Sequence, residues 1–247
     1  MEKLLLVMSM LTTLGFSGDF EDALKAYTNK DYKKATKLFT LLTNQGHSKA
    51  QFNLANMYYS GVGIKKDYKK AIKLYTLAAN EGDSDAQCNL ASMYKQGLGV
   101  KQDYKKALEF YTSSANKGHS VAQFNLGLMY EAGLGIKQDY KEAIKFYTLS
   151  ATQGNPTAQF NLANMYRQGV GVKQDYIRAF KLYTESANQG DSDAQNSLGI
   201  MYYNGNGIKK DKSKAYQFLL KAGAQEHTLA LQNMMIICKE SPSVCKE

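Results

Sequence analysis

The chain contains no tryptophan, two prolines, three cysteines and three histidines in 247 residues. Three cysteines are too few for a disulfide-dense miniature scaffold and for most zinc modules. No HExxH, GxSxG or P-loop run occurs, which leaves little for metal, hydrolytic or nucleotide chemistry. Beyond the first sixteen residues no long apolar run is found, so no transmembrane anchor is expected. What is present is 44% hydrophobic residues, enough to bury a core, which excludes a mainly disordered chain. Lysine and arginine number 31 against 22 acids, a formal net charge of +9, yet only two of those cations are arginine.

Met1-Glu2-Lys3 precedes an uncharged stretch from Leu4 to Phe16. Thirteen residues are too short to span a ~30 Å hydrocarbon core, which needs about 20, but match the apolar region of a signal peptide. Gly15-Phe16-Ser17 supplies small residues at −3 and −1, so cleavage is expected after Ser17 and the chain is expected in the periplasm or outside the cell. No cysteine lies near the cut for a lipid anchor, and a buried N-terminal capping helix is the alternative use of this segment.

A 36-residue period organises everything that follows. Ala-Gln recurs at 50–51, 86–87, 122–123, 158–159 and 194–195, and Met-Tyr at 57–58, 93–94, 129–130, 165–166 and 201–202. Gly-x-Gly follows at 61/63, 97/99, 133/135, 169/171 and 205/207. Asp-Tyr comes next at 67–68, 103–104, 139–140 and 175–176, with Asp211 alone in the fifth copy. Each unit reads as two antiparallel helices. Ala86, Leu90 and Tyr94 lie on one helical face, Gly97-Leu98-Gly99 breaks that helix, and Asp103 is placed to cap the next. Ala107, Tyr111 and Ala115 give the second helix its apolar face, and Asn155-Pro156 supplies a cap followed by the residue best tolerated at the first helical position. Neither helix buries its face alone. The expected fold is therefore all-α, a right-handed α/α superhelical solenoid of stacked helix-turn-helix repeats. The divisions are 1–17 (signal peptide), 18–46 (N-terminal cap), repeats at 47–82, 83–118, 119–154, 155–190 and 191–226, and 227–247 (a lone capping helix and tail).

The stretch AQFNLANMYYSGVGIKKDYKKAIKLYTLAANEG resembles the Sel1-like repeat, a relative of the tetratricopeptide repeat with a longer, glycine-bearing loop. The resemblance covers roughly residues 47 to 226, and AYTNKDYKKATKLF before it resembles an ordinary tetratricopeptide unit. It implies a solenoid that binds protein or peptide through its concave groove. A more distant similarity is to the secreted Helicobacter cysteine-rich proteins, built from Sel1-like repeats, some of which are described as penicillin-binding or weak β-lactamases. Those proteins carry a cysteine pair in nearly every repeat, and these repeats do not.

The residues themselves offer no catalytic set, no metal site and no cofactor site. His47, His119 and His227 occupy the helix-start position held elsewhere by Asp83, Asn155 and Asp191, where a cap is wanted. Asp83-Ser84-Asp85 and Asp191-Ser192-Asp193 lack the glycine and terminal glutamate of a calcium loop. Ser-x-x-Lys occurs at Ser92/Lys95, Ser114/Lys117 and Ser243/Lys246, close to the number that chance gives for 16 serines and 29 lysines, with no Ser-Asp-Asn or Lys-Thr-Gly beside it. Cys88 replaces Phe52, Phe124 and Phe160, and so reads as a buried thiol. Cys238 and Cys245 flank Pro242; in an oxidising compartment they are expected to form a disulfide that pins the tail, two free thiols being the alternative.

Binding is expected on the first helices. Asn53, Asn89, Asn125 and Asn161, with Ser197 in the fifth copy, form a polar row suited to gripping a peptide backbone or to bonding between repeats. Beside it Tyr59, Lys95, Glu131, Arg167 and Tyr203 share one position yet differ in chemistry, as fits a heterogeneous, partner-specific surface. Lys65, Lys101, Lys137, Lys173 and Lys209, flanked by Lys69, Lys70, Lys105, Lys106 and Lys141, form an edge that either attracts an acidic partner or anionic envelope polymer or serves as solvated surface. Nucleic acid is not expected, given two arginines and tyrosines at core-facing positions. The function expected is an exported, non-catalytic scaffold binding protein or peptide; the alternatives are a weak β-lactamase or penicillin-binding protein and a secreted host-interaction factor.

Overall fold

The computed structural model describes residues 18–245, so the expected signal peptide at 1–17 lies outside the described residues. The contacts divide the chain between His119 and Ser120 into two compact units. The first holds a helix over 18–28 (α1), then α2 (Tyr32–Asn44), α3 (Ser48–Ser60), α4 (Tyr68–Asn80), α5 (Ser84–Gln96) and α6 (Tyr104–Asn116). The second holds α7 (Ser120–Ala132), α8 (Tyr140–Thr152), α9 (Pro156–Gln168), α10 (Tyr176–Asn188), α11 (Ser192–Asn204), α12 (Lys212–Gly223) and α13 (Thr228–Glu240), with a 3₁₀ turn at Pro242–Cys245. No strand occurs among the described residues, and no helix there is long and apolar enough to cross a membrane.

Local chemistry sets each boundary. The second helix of a repeat starts on an aspartate: Asp103 Oδ1 accepts from the Lys106 N–H at 3.0 Å, satisfying a donor that the first turn leaves free. The first helix starts on Asp83, Asn155 or Asp191, or on His47 or His227, whose Nδ1 accepts from Ala50 and Ala230 at 3.3 and 3.1 Å. Helix α5 ends at Gly97, which has φ +72° and donates to the Met93 carbonyl, a left-handed exit that a β-carbon disfavours. Gly99 has a second reason to be glycine. A β-carbon there would lie 2.6 Å from Tyr68 Cβ and 2.7 Å from Tyr68 C, so the loop of one repeat rests directly on the helix start of the repeat before it. Gln102 then donates to the Lys95 carbonyl at 2.8 Å, closing the last turn of α5, and Gln138 and Gln174 repeat the contact with the Glu131 and Arg167 carbonyls.

Within each unit α3/α4, α5/α6, α7/α8, α9/α10 and α11/α12 pack as pairs, and successive pairs stack. Alanine at fixed places lets helices approach, as at the fully buried Ala71, Ala86, Ala107, Ala143 and Ala179. Leu90, Met93 and Tyr75 fill the first unit between them, as Leu162, Met165, Tyr147 and Tyr183 do the second. Each large apolar side chain so buried contributes about 1.5–3 kcal/mol before entropy is counted. The buried glutamine of Ala-Gln serves the junction between repeats: Gln87 and Gln159 donate to the Ala79 and Ala151 carbonyls at 3.1 and 3.2 Å, in the last turn of the preceding helix. At the far end Val244 packs on the cluster of Leu219, Ala230 and Ile237, and Cys238 and Cys245 are joined in a disulfide with Cα atoms 5.6 Å apart.

Candidate binding face

All nine candidate binding side chains are half-buried on the first helices. Five of them, Asn89, Lys95, Glu131, Asn161 and Arg167, meet a buried tyrosine. Tyr75, Tyr111, Tyr147 and Tyr183, one per repeat on the second helix, have rings that are wholly buried. Their hydroxyls meet the residues of the face. Tyr75 donates to Asn56 Oδ1 at 2.5 Å, and Tyr183 donates to Asn164 Oδ1 at 2.7 Å while accepting from Arg167 Nε at 3.0 Å. Tyr147 donates to the Glu131 carboxylate, and Lys95 places its Nζ 5.8 Å from the centre of the Tyr111 ring. Tyr59 packs its ring on Tyr68 at 5.5 Å. The variable residue of each of these middle repeats is therefore held by the same buried tyrosine through different chemistry: cation on ring, carboxylate on hydroxyl, guanidinium on hydroxyl. Burial pushes the phenols of all four tyrosines up, and at Tyr147 the Glu131 carboxylate adds to it. Burial also lowers the Lys95 ammonium.

In the fifth copy Leu219 stands where tyrosine is expected, and Tyr203 instead donates to the Glu240 carboxylate at 2.7 Å, which Lys212 also reaches at 3.0 Å. Beside this substitution lies a mostly apolar recess of about 210 Å³ lined by Ile200, Tyr203, Leu219, Asn233 and Ile236.

The asparagine row divides into two kinds of contact. Asn89 donates to Tyr75 at 3.3 Å and to Asn56 at 3.4 Å, joining one repeat to the next. Asn161 bonds the Tyr147 phenol and Ser197 the Tyr183 phenol in the same register. Asn53 and Asn125 donate to the carbonyls of Lys49 and Val121 in their own helices, at 2.7 and 2.9 Å. Asn56, Asn164 and the tyrosine hydroxyls are members of this face that the sequence pattern did not single out. The 36-residue recurrence of Tyr75, Tyr111, Tyr147 and Tyr183 was a signal for them, but it indicates burial of the ring and not the direction of the hydroxyl.

The periodic spacing, the glycine loops and the helix pairing coincide with a known repeat model, which matches residues 24–47, 48–83, 84–119, 120–155, 156–191 and 192–227. The chain belongs to the Sel1 repeat family. Among solved structures it is similar to a protective antigen present in uropathogenic Escherichia coli strains, described as displaying an SLR fold. That match has 29% identity over 94% of this chain and a TM-score of 0.89. The chain spans 50% of the length of that antigen chain. It is also similar to a Sel1 repeat protein from Oxalobacter formigenes, with 32% identity over 86% of this chain and 87% of that one, and a TM-score of 0.81. Cysteine rich protein B of Helicobacter pylori aligns with 54% of this chain and 96% of its own at 22% identity, with a TM-score of 0.43. No curated protein matches the chain.

The remaining candidates take up structural positions in the Sel1 repeats. Ser114 is buried and donates to the Ser84 carbonyl at 2.7 Å; Ser92 Oγ accepts from Gln96 at 2.7 Å and bonds the Tyr111 phenol; Lys246 lies outside the described residues. Asp83 and Asp191 cap helices through Ala86 and Ala194 at 2.8 Å, and no group of three or more metal-ligating side chains occurs among the described residues. His119 and His227 each reach back one repeat, placing Nε2 2.9 Å from Asp85 and 3.0 Å from Asp193. Cys88 is buried, and burial pushes its thiol up to about 12. Lys65, Lys101, Lys137, Lys173 and Lys209 are exposed, whereas Lys70 and Lys106 lie over the rings of Tyr58 and Tyr94, 5.1 and 5.2 Å from their centres.

Proposed function

We propose that this Sel1 repeat chain is an exported, non-catalytic scaffold whose first-helix face holds an extended protein or peptide in the bacterial envelope. The observation that carries this reading is the tethering of Lys95, Glu131 and Arg167 to buried tyrosines. Side chains fixed before a partner arrives lose less rotamer entropy on binding, so a face of different, pre-positioned groups suits selective recognition. Binding of protein partners is also the general use of Sel1 repeats. Export is supported by the apolar run from Leu4 to Phe16 behind Lys3 and by the Cys238–Cys245 disulfide, since such bonds persist in oxidising compartments. The exposed lysines of the loop edge are a second, weaker attraction for an acidic partner or anionic envelope polymer, screened by salt.

A second reading, a secreted factor that contacts host molecules, is favoured by the 29% identity to a protein described as a protective antigen. Both readings share one test. The full-length chain, tagged at its C-terminus in its native cell, is fractionated, its N-terminus read by mass spectrometry, and its neighbours cross-linked. A mature start at Gly18 in the periplasm with defined envelope proteins attached supports the first reading, and recovery mainly from the medium supports the second. An intact Met1 in the cytoplasm overturns both addresses.

A further inference from the structure

Among the five residues at the variable position only Glu131 is acidic, on a chain of net charge +9. It lines a recess of about 410 Å³ in the second unit, between α7 and α9. Leu128, Met165 and Val170 give the recess apolar walls, and Asn161 and Asn164 lie with Glu131 among its polar groups. The carboxylate is not a loose surface acid. It accepts from the buried Tyr147 hydroxyl on Oε2, and Asn161 bonds the same phenol from the next repeat, so α7, α8 and α9 together fix its position. One bond uses a fraction of its capacity, because an ionised carboxylate offers about four acceptor sites. Arg167, one repeat further on, does not line this recess; its Nε is taken by Tyr183 at 3.0 Å and its Nη2 lies 3.5 Å from Asn164 Oδ1.

We propose that this recess receives the lysine or arginine side chain of an extended peptide segment, with its charged head on Glu131 and its aliphatic stem along Leu128, Met165 and Val170. The inference rests on the peptide-binding reading above and adds the chemistry of one subsite to it. The volume lies at the low end of the ~300–1,000 Å³ of small-ligand pockets, which suits one long side chain and its adjoining backbone. Long basic side chains combine an apolar stem with a charged tip, matching walls of this kind beneath a single acid. A carboxylate held in place also makes a stronger charge-assisted bond than one that must be ordered on binding.

The test is a selection of random octapeptides, displayed on phage, against the immobilised full-length chain at physiological salt, run in parallel on Glu131→Gln. The glutamine keeps an oxygen for Tyr147, and an unchanged thermal midpoint checks that the fold is kept. Peptides selected on the wild type should be enriched in Lys or Arg at one position, and synthetic copies should lose at least tenfold in affinity for Glu131→Gln. The same loss should follow when that basic residue is replaced by norleucine, with no further loss when both changes are combined. Peptides selected without basic enrichment, or bound equally by both chains, overturn the subsite while leaving the binding face intact. Recovery of no binding peptide on either chain overturns the peptide-binding reading and the subsite with it.

Discussion

Replacing Glu81 by glutamine should stabilise this protein. In three junctions of the second unit a glutamine 30 residues after the buried Ala-Gln glutamine donates to its side-chain oxygen: Gln153 to Gln123 at 2.6 Å, Gln189 to Gln159 at 2.8 Å and Gln225 to Gln195 at 3.0 Å. In the first unit the corresponding positions are Glu81 and Lys117. An ionised glutamate has no hydrogen to give, and the Lys117 ammonium reaches the Gly82 carbonyl at 2.6 Å instead. Gln51 Oε1 and Gln87 Oε1 are, with Thr43 Oγ1, the buried side-chain polar atoms left without a hydrogen-bond partner among the described residues, and the two glutamines are only 5% and 6% exposed. Leaving a buried acceptor unpaired costs about 1–3 kcal/mol, whereas making the bond yields a net of about 0.5–1.5 kcal/mol. Position 81 is exposed, which favours the lower part of that net range, so the new amide bond of Glu81→Gln should add about 0.5–1 kcal/mol, or ~1–4 °C in thermal midpoint.

The control is Glu81→Ala. Glu81 closes the C-terminus of α4, so removing its charge relieves the helix dipole by about 0.3–1 kcal/mol in either variant. The amide bond is the difference between the two, read from urea midpoints by circular dichroism. That difference should vanish in a Gln51→Met background. Equal midpoints for Glu81→Gln and Glu81→Ala, or a difference that survives in Gln51→Met, would refute the reasoning.

Gly99→Ala meets both a φ of +71° and Tyr68 atoms within 2.8 Å, and should cost at least about 3 kcal/mol, whereas Gly118→Ala, with φ +87° and nothing within 4 Å, should cost about 1 kcal/mol; chemical denaturation of the two separates steric approach from backbone conformation. Tyr147→Phe leaves the ring in place but strips the hydroxyl from Glu131 and Asn161, and should cost about 1–2 kcal/mol in the same assay. Alkali should weaken the fold. Cys88 goes from an ordinary 9.0 to about 12 on folding, and the buried tyrosines rise from 10.0. Between its unfolded and folded values the unfolded chain binds fewer of these protons, so this stability is full below about pH 9 and declines above it, and the urea midpoint should fall steadily from pH 9 to 11. A midpoint constant over that range would contradict the burial of these groups.

Much of the architecture was legible because each repeat uses the same local devices. Asp103 and Asp139 cap their helices, and Gly97 turns left-handed, for reasons contained within a few residues of sequence. What the sequence did not disclose are contacts that depend on the neighbouring repeat. Gly99 had a visible role in the turn, but its closeness to Tyr68 belongs to the stacking of one loop on the previous helix. The same holds for Asp85 with His119 and Asp193 with His227. His119 and His227 each have an aspartate 34 residues before them, while Asn155 and Asp191 are preceded by Val121 and Thr157, a pairing that is meaningful only once the first turns of successive repeats lie side by side. The binding row was visible as variation at Tyr59, Lys95, Glu131, Arg167 and Tyr203. Its coupling to the tyrosines was not, because a tyrosine at an apolar helix position looks like any other core residue until its hydroxyl has a direction.

The most direct test of the account places a photo-reactive amino acid at Asn161, on the proposed face, and at Lys173, on the exposed loop edge, in the full-length chain within its native cell. If the first-helix face holds the partner, irradiation should join a defined protein to the Asn161 variant and leave the Lys173 variant largely free. Cross-linking of that protein from Lys173 and not from Asn161 would contradict the account and move the binding surface to the lysine edge.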